Sequence, residues 1–260
     1  MEEGRLTVVG TGIGFRRQII PAAETAIRQA DLVFHQVGDQ LTVQWLHQLN
    51  ANVQSLSRPA SAEPVLSMDV YEAMAHRVAD AVAAGQRTCF VSYGHPGVYQ
   101  HAAHRSIELT RARGFAATMI PGISALDCLI ADLGVEIALG CQLLDATMMV
   151  LHDKVVDPTS ALVLFQIGIF GDPHYRASRP VGLHVLRDRL SEIWGPEHEI
   201  LLYEAPMLPI WDAGAERTTI ADMATAPMSE RTLAYVPPLA QRPMNALAAA
   251  AIASELAAPR

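Results

Sequence analysis

Cysteine is scarce in this chain, and no pair of cysteines has the spacing of a redox or metal-binding motif. The three cysteines, Cys89, Cys128 and Cys141, are odd in number and far apart. This pattern excludes a disulfide framework and indicates reduced thiols in the cytoplasm. His101 and His104 lie three residues apart on a predicted helix, but without a third ligand nearby they do not predict a metal site.

Clusters of basic residues are also lacking. The 260 residues include 19 Lys+Arg and 27 Asp+Glu, which gives a formal net charge of −8. An acidic chain without a basic cluster is a poor ligand for nucleic acid or for an anionic membrane. The apolar stretch 246–253 is too short to span a bilayer, and the acidic first five residues do not have the form of a signal peptide. We therefore expect a cytoplasmic protein that binds neither nucleic acid nor membrane.

Strand-like and helix-like segments alternate along the first 120 residues, a pattern that predicts a mostly parallel sheet covered on both faces. The clearest helix is predicted over Asp69–Ala84, with Asp69 as its N-cap and Gly85 as its stop. Beyond Pro121 the strands are spaced irregularly, which favours a mixed sheet. Strands are predicted there at Met148–Leu151, Ala161–Gln166, Ile200–Glu204 and Thr232–Val236. We predict an α/β protein of two domains, 1–121 and 122–260.

Three turns containing glycine follow predicted strands of the first half. The first holds Gly10, Gly12 and Gly14, but its GxGxG spacing is a weak match to a dinucleotide-binding turn. The second is the sequence YGHPG over 93–97, between a strand and a helix. The third is PGIS over 121–124, whose serine is equally well explained as a helix N-cap. Each turn alone is compatible with either a ligand site or an ordinary turn.

Together, the three motifs resemble the tetrapyrrole (corrin/porphyrin) methylase family. Further similar segments extend the resemblance over most of the chain. These are 30–34 (ADLVF), 132–134 (DLG), 165–167 (FQI) and 232–238 (TLAYVPP). His95 stands where most of the family has aspartate in the sequence GDPG. This histidine, with 157–159 (DPT) and 203–205 (YEA), is similar to the borosin branch, whose members N-methylate backbone amides of a peptide.

The resemblance implies the class III methyltransferase fold, with S-adenosylmethionine bound between two domains and S-adenosylhomocysteine as the product. It also implies a homodimer. Motif matching carries the cofactor contacts over to the three glycine turns and to two later segments. The residues are Gly10, Gly12, Gly14, Gly94, His95, Gly97, Val98, Ser124, Ala125, Phe165, Gln166, Thr232 and Leu233.

The resemblance places catalysis on tyrosines and one arginine. Tyr71 matches a tyrosine of the family on a helix, although a helix tyrosine that only packs its ring explains it as well. Tyr93 matches the tyrosine that opens the YGHPG loop. The arginine that the borosin pattern has four residues before the helix tyrosine is replaced by Ser67, and a loop tyrosine further upstream is missing. Arg58 is the candidate for the missing positive charge.

The C-terminal residues predict where the substrate comes from. Fused borosins carry their substrate as a C-terminal peptide, whereas this chain finishes in an alanine-rich helix and the residues AAPR. We therefore expect a separate precursor peptide. Two alternatives stay open: methylation of a small molecule, tetrapyrrole or peptide side chain, and a non-catalytic module that binds the cofactor.

Overall fold

The computed structural model describes residues 4–57, 67–172, 181–208, 210–240 and 242–257. Its first half forms a five-stranded sheet in the order β3-β2-β4-β1-β5. All of these strands pair in parallel, as the alternation of segments predicted. The strands are β1 (Arg5–Gly10), β2 (Leu32–Gln36), β3 (Val53–Ser55), β4 (Arg87–Ser92) and β5 (Ala116–Met119).

Helices cover both faces of this sheet because its central strands are apolar on both sides. On one face, Val78 and Ala103 pack with Phe90 of β4. On the other face, Ile27 and Trp45 pack in a second apolar cluster. The helices are α1 (Pro21–Gln29), α2 (Gln40–Leu49), α3 (Ser67–Ala83) and α4 (His101–Ala112).

The second half forms another five-stranded sheet, in the order β6-β7-β10-β8-β9. Strands β6 and β7 are parallel, and the other pairs are antiparallel, so this sheet is mixed, as predicted. The strands are β6 (Cys141–Asp145), β7 (Ala161–Phe165), β8 (Glu199–Glu204), β9 (Gly214–Thr219) and β10 (Leu233–Val236). The helices are α5 (Ala125–Leu133), α6 (Ala146–Leu151), α7 (Leu183–Trp194) and α8 (Ala246–Ala257).

Two of the secondary-structure predictions are wrong. Met148–Leu151 belongs to helix α6, because the Asp145 side chain caps that helix by accepting a hydrogen bond of 2.8 Å from the Met148 N–H. Asp69 is not an N-cap, since it lies in the first turn of α3. Edge strands β6 and β9 were not predicted. Residues of β9 are mostly exposed and lack an apolar alternation, so the sequence carries no signal for a strand there.

Helix α5 lies where the two sheets meet. Its buried Leu129 packs with Val163 and Tyr203 of the second sheet. The predicted division after residue 121 falls between β5 and α5. The loops that leave the carboxyl ends of β1 and β4 therefore face the second sheet. Within the described ranges, no helix is long and apolar enough to cross a bilayer.

Candidate active site

The three glycine turns meet at the carbonyl group of Gly94. Gly12 and Gly94 exchange backbone hydrogen bonds of 3.3 and 3.0 Å. A Cβ atom at Gly10 would lie 1.9 Å from the Gly94 oxygen, and one at Gly122 would lie 3.2 Å from it. Glycine is needed for such close approach of backbones. The three motifs are therefore in direct contact, although they are far apart in the sequence.

A side chain fixes the shape of the first turn. The Gln18 Oε1 atom accepts hydrogen bonds of 2.8 Å from the N–H groups of both Ile13 and Gly14. Gly12 adopts a positive φ of 71°, which favours glycine. This arrangement turns Ile13 toward the loop that contains Gly94.

A cavity of about 240 Å³, called here the central cavity, lies beside these turns. Both halves of the chain contribute to its walls. They are the Gly-rich turn, the loop after β4, the start of α5, the end of β7 and the segment before β10. The lining residues are Ile13, Tyr93, Gly94, His95, Val98, Tyr99, Gln100, Ser124, Ala125, Phe165, Gln166, Ala205, Glu230, Arg231, Thr232 and Leu233.

Most of the predicted cofactor contacts lie together on this cavity. Gly10, Gly12, Gly14 and Gly97 do not line it. The first two hold the turns in place, and Gly97 donates a hydrogen bond of 2.9 Å from its N–H to the Nδ1 atom of His95. The predicted residues that line the cavity are Gly94, His95, Val98, Ser124, Ala125, Phe165, Gln166, Thr232 and Leu233.

Two residues with strained backbone line the central cavity. Tyr99 and Gln166 have positive φ values of 54° and 59°. Such backbone conformations are uncommon outside glycine, and they cluster where ligands are held. The Tyr99 ring stacks on Phe165 with ring centroids 4.3 Å apart. The stack gives the cavity a flat aromatic wall. Sequence reasoning did not single out Tyr99.

Tyr93 joins the central cavity to a second one. A cavity of about 370 Å³, called here the Tyr93 cavity, is lined by Gly38, Asp39, Tyr93, Met207, Glu230 and Arg231. Burial raises the pKa of Tyr93 well above its ordinary value, an effect that the charge of Arg231 opposes. Within the described ranges, no hydrogen bond joins the Tyr93 hydroxyl to another residue. The phenol is therefore neutral at physiological pH, and Tyr93 lines both cavities.

A third cavity continues from the second. It has a volume of about 450 Å³, and Met207 lines both. Gly14 lies on its wall together with charged side chains such as Arg17 and Asp127, and with Trp211. The three cavities are thus neighbours that share wall residues. We call them together the trough.

Of the other two predicted catalytic residues, Tyr71 does not line the central cavity. Tyr71 lies on α3, and its ring contacts His101 of α4 with centroids 6.1 Å apart. Arg58 lies outside the described residues. His101 and His104 have separate contacts, since the first approaches Glu72 and the second the carbonyl oxygen of Gly97. In the part of the chain that the structure describes, no three metal-ligating side chains gather.

Arg231 is the charged residue of the site that the sequence did not reveal. Its Nε atom lies 3.1 Å from Glu204 Oε1, and its Nη2 atom contacts the same oxygen. It lines both the central cavity and the Tyr93 cavity. The only sequence signal was the segment 203–205 (YEA), which contains Glu204 and is part of the resemblance.

Ser124 acts as a helix cap at the cavity wall. Its hydroxyl oxygen and the Asp127 side chain form a capping box at the start of α5. The Ser124 N–H donates a hydrogen bond of 2.7 Å to Asp127. We predict that Ser124→Ala lowers the free energy of unfolding by about 1 kcal/mol, the usual cost of losing a cap. Urea unfolding checks this, and Ser124→Thr, which keeps the hydroxyl that caps the helix and donates to Asp127, is the control. Equal stability of all three proteins would contradict the prediction.

Comparison with known protein families adds to this geometry. The family model for tetrapyrrole (corrin/porphyrin) methylases matches residues 5–193. A type III borosin methyltransferase and cyclic peptide precursor of Anomoporia bombycina is 35% identical over 257 residues, which are 96% of this chain and 30% of that protein. A type I borosin protein of Coprinopsis marcescibilis is 36% identical, over 91% of this chain and 63% of that protein.

The omphalotin A precursor of Omphalotus olearius, also named as a methyltransferase, is 32% identical over 93% of this chain and 60% of that protein. The chain thus spans less than two thirds of the length of these three relatives. Among solved structures, uroporphyrin-III-C-methyltransferase from Thermus thermophilus has a TM-score of 0.61 at 20% identity, over 91% of this chain and 93% of that one. Diphthine synthase has a TM-score of 0.62 at 13% identity, over 92% of this chain and 91% of that one. At these identities the structures show a common fold.

Proposed function

Because the chain belongs to the tetrapyrrole methylase family of S-adenosylmethionine-dependent methyltransferases, we propose that it N-methylates backbone amides of a separate precursor peptide. The observation that carries this proposal is the trough through Tyr93, in a chain whose borosin relatives are similar over more than nine tenths of its length. The names of those relatives join a methyltransferase to a peptide precursor. S-adenosylhomocysteine is then the product that leaves the central cavity.

The lining of the central cavity fits S-adenosylmethionine. The stacked rings of Tyr99 and Phe165 offer a flat apolar surface suited to adenine. Glu230 also lines this cavity, and a carboxylate suits a positively charged sulfur. We therefore place the cofactor on the predicted contacts that line this cavity. When bound, the cofactor supplies a methyl group on a sulfonium, an activated carbon that a nucleophile displaces.

An amide nitrogen needs help to act as that nucleophile. Its lone pair is delocalised into the carbonyl group, so negative charge must be stabilised on the carbonyl oxygen as the N–H proton leaves. Tyr93 is neutral, because burial raises its pKa, and its hydroxyl can donate a hydrogen bond to that oxygen. The exposed Glu230 carboxylate can take the proton and pass it to solvent. Ring packing against the second sheet holds Tyr93 in position.

The space beside the central cavity has room for a peptide substrate as well as the cofactor. The cavities have volumes of about 240, 370 and 450 Å³, and each shares lining residues with the next one. An extended peptide can lie along the Tyr93 cavity and the third cavity while one of its amides reaches Tyr93. Ser67, which replaces the arginine of the borosin pattern, is the feature that favours the small-molecule alternative instead.

The deciding experiment incubates the purified protein with S-adenosylmethionine carrying a labelled methyl group and with the peptides encoded beside its gene. We expect mass gains in steps of one methyl, and fragmentation should place them on backbone nitrogens. Methyl groups found only on a side chain or a small molecule would contradict the peptide-backbone proposal. Calorimetric binding of S-adenosylhomocysteine without any turnover would instead support the non-catalytic module.

A further inference from the structure

The turn that carries Arg231 has a fixed shape. The Ser229 N–H donates a hydrogen bond of 2.8 Å to the Thr232 hydroxyl, and the Arg231 N–H donates one of 3.1 Å to the Ser229 hydroxyl. Gly168 packs directly on this turn, since a Cβ atom there would lie 1.7 Å from the Ser229 carbonyl oxygen. These contacts leave the turn little freedom, so the position of Arg231 is set before any ligand binds.

The guanidinium group is also oriented. Glu204 Oε1 accepts hydrogen bonds from two nitrogens of Arg231, and Glu204 Oε2 accepts one of 2.6 Å from the Ser229 hydroxyl. The side chains of Arg231 and Glu204 are 36% and 30% exposed, so they are partly shielded from water. Among the described residues, the remaining Nη1 atom of Arg231 has one acceptor, the thioether sulfur of Met207, which is a weak one. This nitrogen can therefore donate to a stronger acceptor.

Arg231 and Tyr93 share two cavities. Both line the central cavity, where the cofactor is placed, and the Tyr93 cavity beside it. Among the described residues that line these two cavities, Arg231 is the only lysine or arginine. A positive charge and a neutral hydroxyl thus face one space next to the proposed methyl donor, an arrangement suited to an oxygen that gains negative charge.

We propose that Arg231, oriented by Glu204, stabilises the negative charge that forms on the carbonyl oxygen of the acceptor amide. This inference rests on the proposed function. In the balanced step, the nitrogen electron pair forms the new C–N bond, the pair of the broken C–S bond stays on sulfur, and the N–H proton passes to Glu230. The Arg231 N–H groups and the Tyr93 hydroxyl donate to the carbonyl oxygen throughout.

This assignment accounts for the main departure of the sequence from the borosin pattern. The pattern supplies its positive charge from the start of helix α3, where this chain has Ser67. Arg231 supplies a charge to the Tyr93 site from the opposite sheet. The charge required by the chemistry is therefore present, although at a position that the sequence does not reveal.

The test compares Arg231→Met and Arg231→Lys with a matched control, Arg217→Met. Arg217 also pairs with a glutamate of β8, through a contact of 2.5 Å to Glu199, but it does not line the trough. Single-turnover methylation of the peptide that the wild-type enzyme modifies gives the rate constant. Calorimetry of S-adenosylhomocysteine and of that peptide gives the two affinities.

We expect Arg231→Met to lower the rate constant about a hundredfold, the usual cost of removing a donor to an oxyanion, while both affinities stay within about twofold of wild type. Arg231→Lys keeps the charge but not the paired donors, so it should lose only about tenfold. Arg217→Met should react as wild type does. If Arg231→Met unfolds, Arg231→Lys and Arg231→Gln decide by the same measurements.

Three outcomes overturn the inference, and they are distinguishable. A wild-type protein that methylates no amide would refute the proposed function together with the role of Arg231. If the wild-type protein methylates amides but is no faster than Arg231→Met, the role of Arg231 is refuted and the proposed function is not. Loss of peptide or product affinity with an unchanged rate constant would likewise show that Arg231 only binds.

Discussion

Gly10→Ala is expected to abolish binding of S-adenosylhomocysteine. The added methyl group would lie 1.9 Å from the Gly94 carbonyl oxygen and 2.9 Å from the Pro96 Cδ atom. Neither side can yield easily, because β1 is an interior strand paired with both β4 and β5, and Gly94 belongs to a turn paired with Gly12. Overpacking costs about 1–3 kcal/mol in side-chain cores and more where backbone must move. The loop after β4 is therefore displaced from the central cavity.

Calorimetric titration with S-adenosylhomocysteine measures this effect, and thermal unfolding reports the loss of stability. Gly114→Ala is the matched control. A Cβ atom at Gly114 meets nothing within 4 Å, and only its positive φ of 87° opposes the substitution. Left-handed backbone costs an L-residue about 1–2 kcal/mol, so this variant should be less stable but should bind the product normally. Normal binding by Gly10→Ala would mean that contact of the glycine turns is not needed for the site.

Tyr93→Phe is expected to lower the rate of amide methylation about a thousandfold, within the range for loss of a group that manages protons or charge at the reacting atoms. The phenylalanine ring keeps the packing against the second sheet, so the fold and the cofactor cavity should be retained. Only the hydroxyl is lost. Because burial holds the pKa of this phenol far above neutrality, the lost function is hydrogen-bond donation and not proton removal.

Tyr235→Phe is the control for this variant. Tyr235 lies on β10 in the same apolar cluster, burial also raises its pKa, and it does not line the trough. Loss of the Tyr235 hydroxyl should leave the rate of methylation within about twofold of wild type. If Tyr93→Phe is as active as Tyr235→Phe, then Tyr93 only shapes the cavity. The same conclusion follows if Tyr93→Phe loses affinity for S-adenosylhomocysteine together with its activity.

The parts of the site that local sequence encodes were predictable. A glycine turn after a buried strand has a recognisable pattern, and three such turns together are enough to indicate the family. Residues carried over by those motifs, such as His95, Ser124 and Gln166, lie on one cavity. The catalytic side chains are different, because a motif gives their order along the chain but not the direction in which they point. Tyr93 faces the trough, whereas Tyr71 packs against α4.

Local sequence predicts the alternation of strands and helices, the mixed character of the second sheet and the glycines of the turns, since each depends on neighbouring residues in the chain. The packing of the two sheets places the Gly94 carbonyl between two other glycine turns and puts Arg231 and Tyr93 on the same two cavities. These contacts join separate segments, and those of Gly10 and Gly94 are more than 80 residues apart. They depend on how two sheets pack, and no local pattern of residues encodes that packing.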